Sequence, residues 1–195
     1  MKYSNTPITW DQSDHPGNIP EPGTQALVVS PIVQNTRLRR VLMDGGSSIN
    51  IIYLDTLKHL KISESQLNYS NIRFHGIVPG RQARSLGEIS LDVTFGDKDH
   101  FRQEKVSFEV VPFESVYHTI LGRPAFAKFM ARSCYIYNKL KMPGPKGGVI
   151  TIAGDFKLAN ELEKENALCA QRVIAKEELK ELAKQVSPSE MPAGK

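Results

Sequence analysis

The sequence is poor in cysteine and has no long apolar run. Its two cysteines among 195 residues, Cys134 and Cys169, lie far apart and lack metal-ligand spacing. A disulfide framework and a metal site are therefore not expected. No apolar run approaches the roughly 20 residues of a membrane-spanning helix, and the first residues lack the apolar core of a signal peptide. We expect an intracellular, cytoplasmic protein with no membrane partner.

The sequence also lacks a strong excess of either sign of charge. Basic residues outnumber acidic ones by 25 to 21, and the excess lies in residues 1–154. A basic body suggests nucleic-acid binding. However, the basic residues are scattered except at 37–40, and no aromatic-rich motif accompanies them. We therefore interpret the charge as a solvated surface and do not expect direct nucleic-acid binding; a steep salt dependence of binding would indicate otherwise.

Composition and patterning divide the chain into four regions. Residues 1–24 are rich in proline and predict an irregular segment. Residues 25–153 are rich in strand patterns and form the expected domain. Residues 154–186 contain strong helix formers with an imperfect apolar stripe, which predicts a helical linker or extension. Residues 187–195 are expected to be a disordered tail.

The domain is predicted to be all-β with one or two short helices. Alternation of Ile89, Leu91, Val93 and Phe95 with polar residues is typical of a half-buried strand. The predicted elements are an opening hairpin over 26–44, strands at 49–53, 72–77, 87–95, 105–111 and 117–121, helices over 54–60 and 124–130, and a closing hairpin from 135–141 and 149–152.

One carboxylate stands in a loop of small residues between apolar strands. Asp44 is followed by Gly45, Gly46 and Ser47, and no second Asp-x-Gly-Ser/Ala motif occurs between apolar strands. A charge flanked by buried strands is costly unless it is paired or functional. Two glycines also allow the close approach of another chain or a ligand. The alternative is a β-turn in which the aspartate bonds its own backbone.

A second motif, residues 118–124, reads His-Thr-Ile-Leu-Gly-Arg-Pro, a strand that ends in glycine before a short helix. With the Asp44 loop and an extended hairpin between the two, this order resembles retropepsin-type aspartic proteases. Residues 8–160 resemble in particular the protease region of plant Gypsy-type (LTR) retrotransposon gag-pol polyproteins. The segments that show this resemblance are Val41–Tyr53, His75–Gly80, Val93–Asp97, Ile120–Met130 and Lys141–Gly147.

The resemblance implies a closed β barrel that acts as a homodimer and hydrolyses peptide bonds. Asp44 would be catalytic and Gly45, Gly46 and Ser47 would form the catalytic loop, with an activated water and no cofactor. Such proteolysis uses two carboxylates that share one proton. One takes a proton from water while the other donates to the scissile carbonyl. Because the chain has one such loop, a two-fold partner would supply the second Asp44.

The same resemblance assigns a flap, a support and partners. The hairpin from Phe74 to Gly87 would close over a polypeptide substrate, and Gly122 would lie beneath the Asp44 loop. The flap residues are His75, Gly76, Ile77, Val78, Pro79 and Gly80, and the supporting residues are Ile120, Leu121 and Gly122. The implied substrate is the polyprotein, cut between its structural and polymerase parts, with neighbouring polyprotein domains as further partners and virus-like particles as a possible setting.

Gly45 departs from the family pattern, in which threonine or serine follows the aspartate. That hydroxyl bonds across the dimer in the family, and its loss costs on the order of 1 kcal/mol per bond, twice per dimer. A catalytically inactive peptide-binding or linker module therefore stays open as the alternative. Ser47 is a candidate hydrogen-bond donor to the Asp44 carboxylate.

Several other residues have simpler interpretations. His75 and His118 are single histidines, more often surface or satisfied residues than catalytic ones. Trp10-Asp11 and Asp14-His15-Pro16 match no metal-ligand spacing and predict a turn. No Gly-x-Ser-x-Gly elbow is present, which disfavours a serine hydrolase.

Overall fold

The computed structural model describes residues 4–17, 22–78 and 81–168. Within these ranges the chain is mostly β, with a few short helices, as predicted. The strands are β1 (Val28–Val29), β2 (Ile32–Val33), β3 (Thr36–Arg37), β4 (Val41–Met43), β5 (Ile51–Tyr53), β6 (Arg73–Val78), β7 (Arg81–Arg84), β8 (Gly87–Gly96), β9 (Phe101–Val111), β10 (Thr119–Leu121), β11 (Arg132–Cys134), β12 (Lys139–Pro143) and β13 (Val149–Ala153). The helices are α1 (Leu54–His59), α2 (Arg123–Phe129) and α3 (156–168).

Eight strands form one curled sheet in the order β1-β4-β10-β5-β9-β8-β2-β3. The β4–β10 and β5–β9 pairs are parallel and the other neighbours are antiparallel. The long β8–β9 hairpin forms one wall, and its alternating residues Ile89, Leu91, Val93 and Phe95 are buried, as the period of two predicted. Because the sheet curls, these side chains and those of β4 and β10 share one apolar core.

The opening hairpin forms, but it breaks into two pairs of short strands. Val28 pairs with Leu42, and beyond the break Ile32 pairs with Arg37. Pro31 lies at the break, where its carbonyl accepts a hydrogen bond from Leu38 N at 3.0 Å. Because proline has no N–H to donate, the ladder cannot continue through this residue. The tip therefore turns away and pairs with β8 instead.

The closing hairpin of β12 and β13 is shorter than predicted. Residues 135–138 were expected to be strand, but they form a turn that joins β11 to β12. Asn138 has a φ of 47° there, and its N–H donates to the Tyr135 carbonyl at 3.1 Å. A left-handed residue cannot continue a strand. The third strand of this sheet, β11, was not predicted.

Both ends of the described chain contact the body. Asp14, near the N-terminus, forms ion pairs with Lys139 and Lys141 of β12. At the other end α3 packs Leu158, Ala159 and Leu162 near Val28 and Val116. The predicted C-terminal helix is present through residue 168, and its remainder and the predicted tail lie outside the described residues. No helix within the described ranges is long and apolar enough to cross a membrane.

Candidate active site

Asp44 lies directly after β4, the strand next to the edge strand β1 in the curled sheet. Its N–H donates to the Leu121 carbonyl at 2.9 Å, which extends the parallel β4–β10 ladder by one step. The residue is half-buried, whereas Met43 before it is in the core. The apolar strand therefore fixes the backbone of Asp44 while its carboxylate emerges at the surface of the sheet.

Hydrogen bonds within the loop orient this carboxylate. The Gly46 N–H donates to Asp44 Oδ1 at 2.8 Å, and the Ser47 N–H donates to the Asp44 carbonyl at 3.3 Å. The turn in which aspartate bonds its own backbone, the alternative raised by the sequence, is thus the conformation of the loop. A turn of this kind does not exclude function, because only one carboxylate oxygen is used by it.

Ser47 does not bond the Asp44 carboxylate. Its hydroxyl donates to the Ile49 carbonyl at 2.8 Å instead. A serine hydroxyl has one proton to donate, so the candidate bond from Ser47 to Asp44 is not made here. The hydroxyl closes the far side of the loop, between the turn and the start of β5.

Gly45 and Gly122 occupy opposite environments. Gly45 is exposed, and a Cβ built on it would meet no atom within 4 Å. A Cβ on Gly122 would lie 2.2 Å from the Ile49 carbonyl oxygen and 2.8 Å from that of Ser47. The loop thus rests on the backbone of Gly122 and leaves no room for a side chain, while its tip is open to a neighbouring chain.

Asn50 supports this arrangement and was not singled out from the sequence. It is buried; its Oδ1 accepts from Gly122 N at 2.9 Å and its Nδ2 donates to the Ser107 carbonyl at 2.9 Å. One side chain therefore joins the loop, the strand β9 and the glycine beneath the aspartate. A lone asparagine inside the apolar run 49–53 was the available signal, since buried amides need partners.

Two further side chains brace the same region. The Thr119 hydroxyl donates to the Ile51 carbonyl. Arg123 donates from its backbone N to the Ser47 carbonyl at 2.9 Å and from Nη1 to the Gly46 carbonyl at 3.2 Å. Hydrogen bonds from Arg123 to the loop carbonyls thus hold the loop in place.

The predicted flap hairpin is present in the backbone as β6 and β7. Arg73 pairs with Arg84, and Val78 pairs with Arg81, with an irregular register between the two pairs. Phe74 at the hairpin base packs with Ile51 and Val111, next to the strand that follows the Asp44 loop. His75, Gly76, Ile77 and Val78 lie in β6, whereas Pro79 and Gly80 at the tip lie outside the described residues.

His118 is not brought to Asp44. It precedes β10, whereas Leu121, whose carbonyl bonds Asp44, ends that strand. Burial, with smaller contributions from the charges of Arg40 and His59, lowers the pKa of His118 below its ordinary value of 6.5. Its Nδ1 is buried without a hydrogen-bond partner among the described residues.

The described residues offer no obvious metal ligands at this site. Across these ranges, no group of three or more histidine, cysteine, aspartate or glutamate side chains is arranged to hold a metal ion. Asp11 caps a single helical turn over Gln12–Asp14, in which Asp11 and Asp14 bond each other's backbone through their side chains. Cys134 is a free, half-buried thiol.

No protein-family model and no curated protein matches the sequence. The structure is similar to the crystal structure of the retroviral protease-like domain of Ddi1 from Leishmania major, with a TM-score of 0.51 and 14% identity, over 68% of this chain and 95% of that one. A retropepsin-like aspartic protease from Rickettsia conorii matches with a TM-score of 0.43 and 16% identity, over 64% of this chain and 79% of that one. EIAV protease complexed with the inhibitor HBY-793 matches with a TM-score of 0.35 and 20% identity, over 65% of this chain and 99% of that one. At these identities the likeness concerns the fold. The chain therefore has a retropepsin-like fold.

Proposed function

We propose that this chain is an aspartic endopeptidase that acts as a homodimer, with Asp44 as the catalytic residue of each subunit. The observation behind this is the Asp44 loop itself. A single half-buried carboxylate follows β4 of a retropepsin-like sheet, and its loop rests on Gly122 and Asn50. Rigid support of this kind is what a catalytic group needs.

The geometry suggests how the reaction would proceed. Gly46 N–H holds Asp44 Oδ1, so the orientation of the carboxylate is set before substrate binds. Two such carboxylates, one per subunit, share one proton in a dimer. The ionised one takes a proton from the attacking water, and the protonated one donates its proton to the scissile carbonyl. The open tip at Gly45 leaves room for the second loop to approach.

The substrate in this proposal is an extended polypeptide held beneath the β6–β7 hairpin. His75–Gly80 would contact it from above, and Ile120, Leu121 and Gly122 would support the floor. The sequence resemblance suggests the gag-pol polyprotein of a plant Gypsy-type retrotransposon as the natural substrate, with its other domains as neighbours. No cofactor is needed, since water is the nucleophile.

Peptide cleavage at mildly acid pH, measured at several protein concentrations, tests the proposal. We expect Asp44→Asn to abolish cleavage and the wild-type activity per subunit to rise with concentration, because the site is completed by dimerisation. Asp99→Asn, which makes the same change at an exposed turn, should cleave as well as wild type. Equal cleavage by wild type and Asp44→Asn would refute the assignment of Asp44.

An inactive peptide-binding module is the second candidate, and Gly45 favours it. The residue after the aspartate has no hydroxyl and no contact within 4 Å of its Cβ position, so nothing at this position holds a second loop in register. The two candidates differ in one result. The binding module would bind peptides at every concentration and cleave none, with wild type and Asp44→Asn indistinguishable.

A further inference from the structure

A mostly apolar cavity lies against Ile49 and Asn50, which follow the Asp44 loop, and takes no part in the proposed chemistry. Its volume is about 220 Å³, roughly seven times the volume that one molecule occupies in liquid water. Its lining includes Asn50, Ile72, Glu88, Glu109 and Pro124. We refer to it as the Glu109 cavity.

Glu109 is an unusual residue for this position. It is only 5% exposed, and its Oε2 is buried with no hydrogen-bond partner among the described residues. Glutamate is rarely buried unless it is paired, because removing a carboxylate from water is costly. Glu109 is one of the residues that line the cavity, so a ligand bound there lies next to its side chain.

A second carboxylate faces the same cavity. Glu88 of β8 is directly opposite Glu109 of β9 in the antiparallel register. Like charges directly opposite each other on one face destabilise a strand pair. Lys128 also lines the cavity, but it is exposed, and no ion pair joins it to either glutamate within the described part of the chain. The two facing carboxylates thus form no ion pair within the described part of the chain.

The walls indicate which kind of cation fits. Ile49, Ile72 and Pro124 line the same cavity as the two glutamates and give it apolar walls. A lysine or arginine side chain matches this arrangement, because its aliphatic stem packs against apolar atoms and its head carries the charge. A calcium ion fits less well, since it takes six to eight oxygen ligands and the described residues contain no cluster of three or more suitable side chains.

We propose that the Glu109 cavity is a recognition site for a basic side chain of a polypeptide. The ammonium or guanidinium group lies between Glu88 and Glu109, and the stem of the side chain lies against Ile72 and Pro124. Asn50 lines the cavity and also holds Gly122 beneath Asp44. An occupied cavity is therefore in direct contact with the support of the Asp44 loop. That the polypeptide is a substrate rests on the proposed protease function.

Binding is tested by NMR titration of ¹⁵N-labelled Asp44→Asn protein, so that no cleavage is required. The probes are the N-acetyl methylamides of lysine, of arginine and of norleucine, the last having a similar stem without a charge. We expect saturable shifts at the amides of Asn50, Ser107 and Glu109 with lysine or arginine. Norleucine should bind at least tenfold more weakly.

Glu109→Gln, made in the same Asp44→Asn background, removes the buried charge with little change of shape. It should weaken binding of the basic probe at least tenfold and raise the melting temperature of the free protein, because an unpaired buried carboxylate is lost. Glu114→Gln, at an exposed loop position, should change neither. Equal binding of lysine and norleucine, or unchanged binding by Glu109→Gln, would overturn the proposal.

The substrate part has a separate readout. Wild-type protein is given a peptide library, and we expect lysine or arginine to be enriched at one fixed distance from the cut, with the enrichment lost in Glu109→Gln. Cleavage without this enrichment would remove the role in substrate choice while the protease assignment stood. Specific binding of the lysine probe without any cleavage would retain the recognition site and reject the protease.

Discussion

At the scale of single residues, the support of Asp44 depends on the absence of a side chain at Gly122 and on the hydrogen bonds of Asn50. The carbonyl oxygens of Ser47 and Ile49 occupy the space that a Cβ on Gly122 would need. The Asn50 amide satisfies Gly122 N on one side and the Ser107 carbonyl on the other. Both residues set the position of the carboxylate through the backbone of its loop.

Gly122→Ala should lower the free energy of unfolding by about 1–3 kcal/mol, the range typical of overpacked sites. The new Cβ meets backbone oxygens, which cannot move aside as a flexible side chain would. Denaturant unfolding measures the effect. Gly45→Ala, with open space around the same new methyl group, should change stability by less than about 1 kcal/mol. Equal effects at the two glycines would contradict the described loop.

His118 predicts a pH dependence of stability. Its pKa is lowered in the folded state, chiefly by burial, so the unfolded chain takes up a proton more readily. Stability should therefore fall as the pH drops through about 6.5 and level off below the lowered pKa of the folded protein. Melting temperatures between pH 7.5 and 5 should show a shallower decline for His118→Gln. An equally steep decline in His118→Gln would contradict the assignment to His118.

At the scale of elements, the N-terminal segment is attached to β12 by a small group of charged and aromatic side chains. Lys141 Nζ lies 2.6 Å from Asp14 Oδ2 and donates to the Thr9 carbonyl at 2.9 Å. The same ammonium is 4.7 Å from the centre of the Trp10 ring. The ring of Tyr137 packs against the rings of Trp10 and His15. One lysine thus joins an ion pair, a backbone bond and a cation–π contact.

Asp14→Asn should release this segment at pH 7. The hydrogen bond from Lys141, followed by the Asp11 N–H, lowers the pKa of Asp14 below 3.8. Its contribution is therefore present above pH 3.8 and lost as the pH falls through the lowered value. Trp10 is the only tryptophan in the sequence, so its emission should shift to the red in the variant.

The pH series completes this test. Wild type and Asp14→Asn should differ in Trp10 emission at pH 7 and converge as Asp14 becomes protonated in wild type. Asp99→Asn, at an exposed turn, should follow wild type throughout. Identical emission from wild type and Asp14→Asn at pH 7 would show that the aromatic contacts alone hold the segment.

At the scale of the whole molecule, the question is how two copies meet. The chain offers one Asp44 loop, and the tip of that loop at Gly45 is open. In the proposed dimer each Gly45 would face the other subunit without a hydroxyl to bond. Weak association is therefore expected, and it would limit activity at low concentration even if the chemistry were intact.

Gly45→Thr should tighten the dimer. Two restored hydrogen bonds of about 1 kcal/mol each correspond to a dissociation constant lower by about 30-fold. Sedimentation equilibrium measures this change. Gly45→Val, similar in shape but without the hydroxyl, separates the hydrogen bond from the effect of stiffening the loop. Equal dissociation constants for the threonine and valine variants would assign the effect to stiffness.

Local patterns in the sequence were sufficient for the elements around Asp44. Alternation of apolar and polar residues predicted β8. Apolar spacing predicted α1, and Pro124 in the first turn predicted α2. The Tyr-Ile-Tyr pattern at 135–137 predicted a strand wrongly. Tyr135 and Ile136 are exposed there, and Asn138 turns the chain with a positive φ.

The sequence by itself determined that one aspartate stands in a small-residue loop between two apolar strands, because that information lies within a dozen neighbouring positions. Only the tertiary structure decided what supports it and what lies behind it. Asn50 bonds Ser107 and Gly122, 57 and 72 positions away, and Glu109 faces Glu88 only in the final register of β8 and β9. Such pairs are set when strands distant in sequence share one curled sheet, because no local periodicity specifies which residues will then be neighbours.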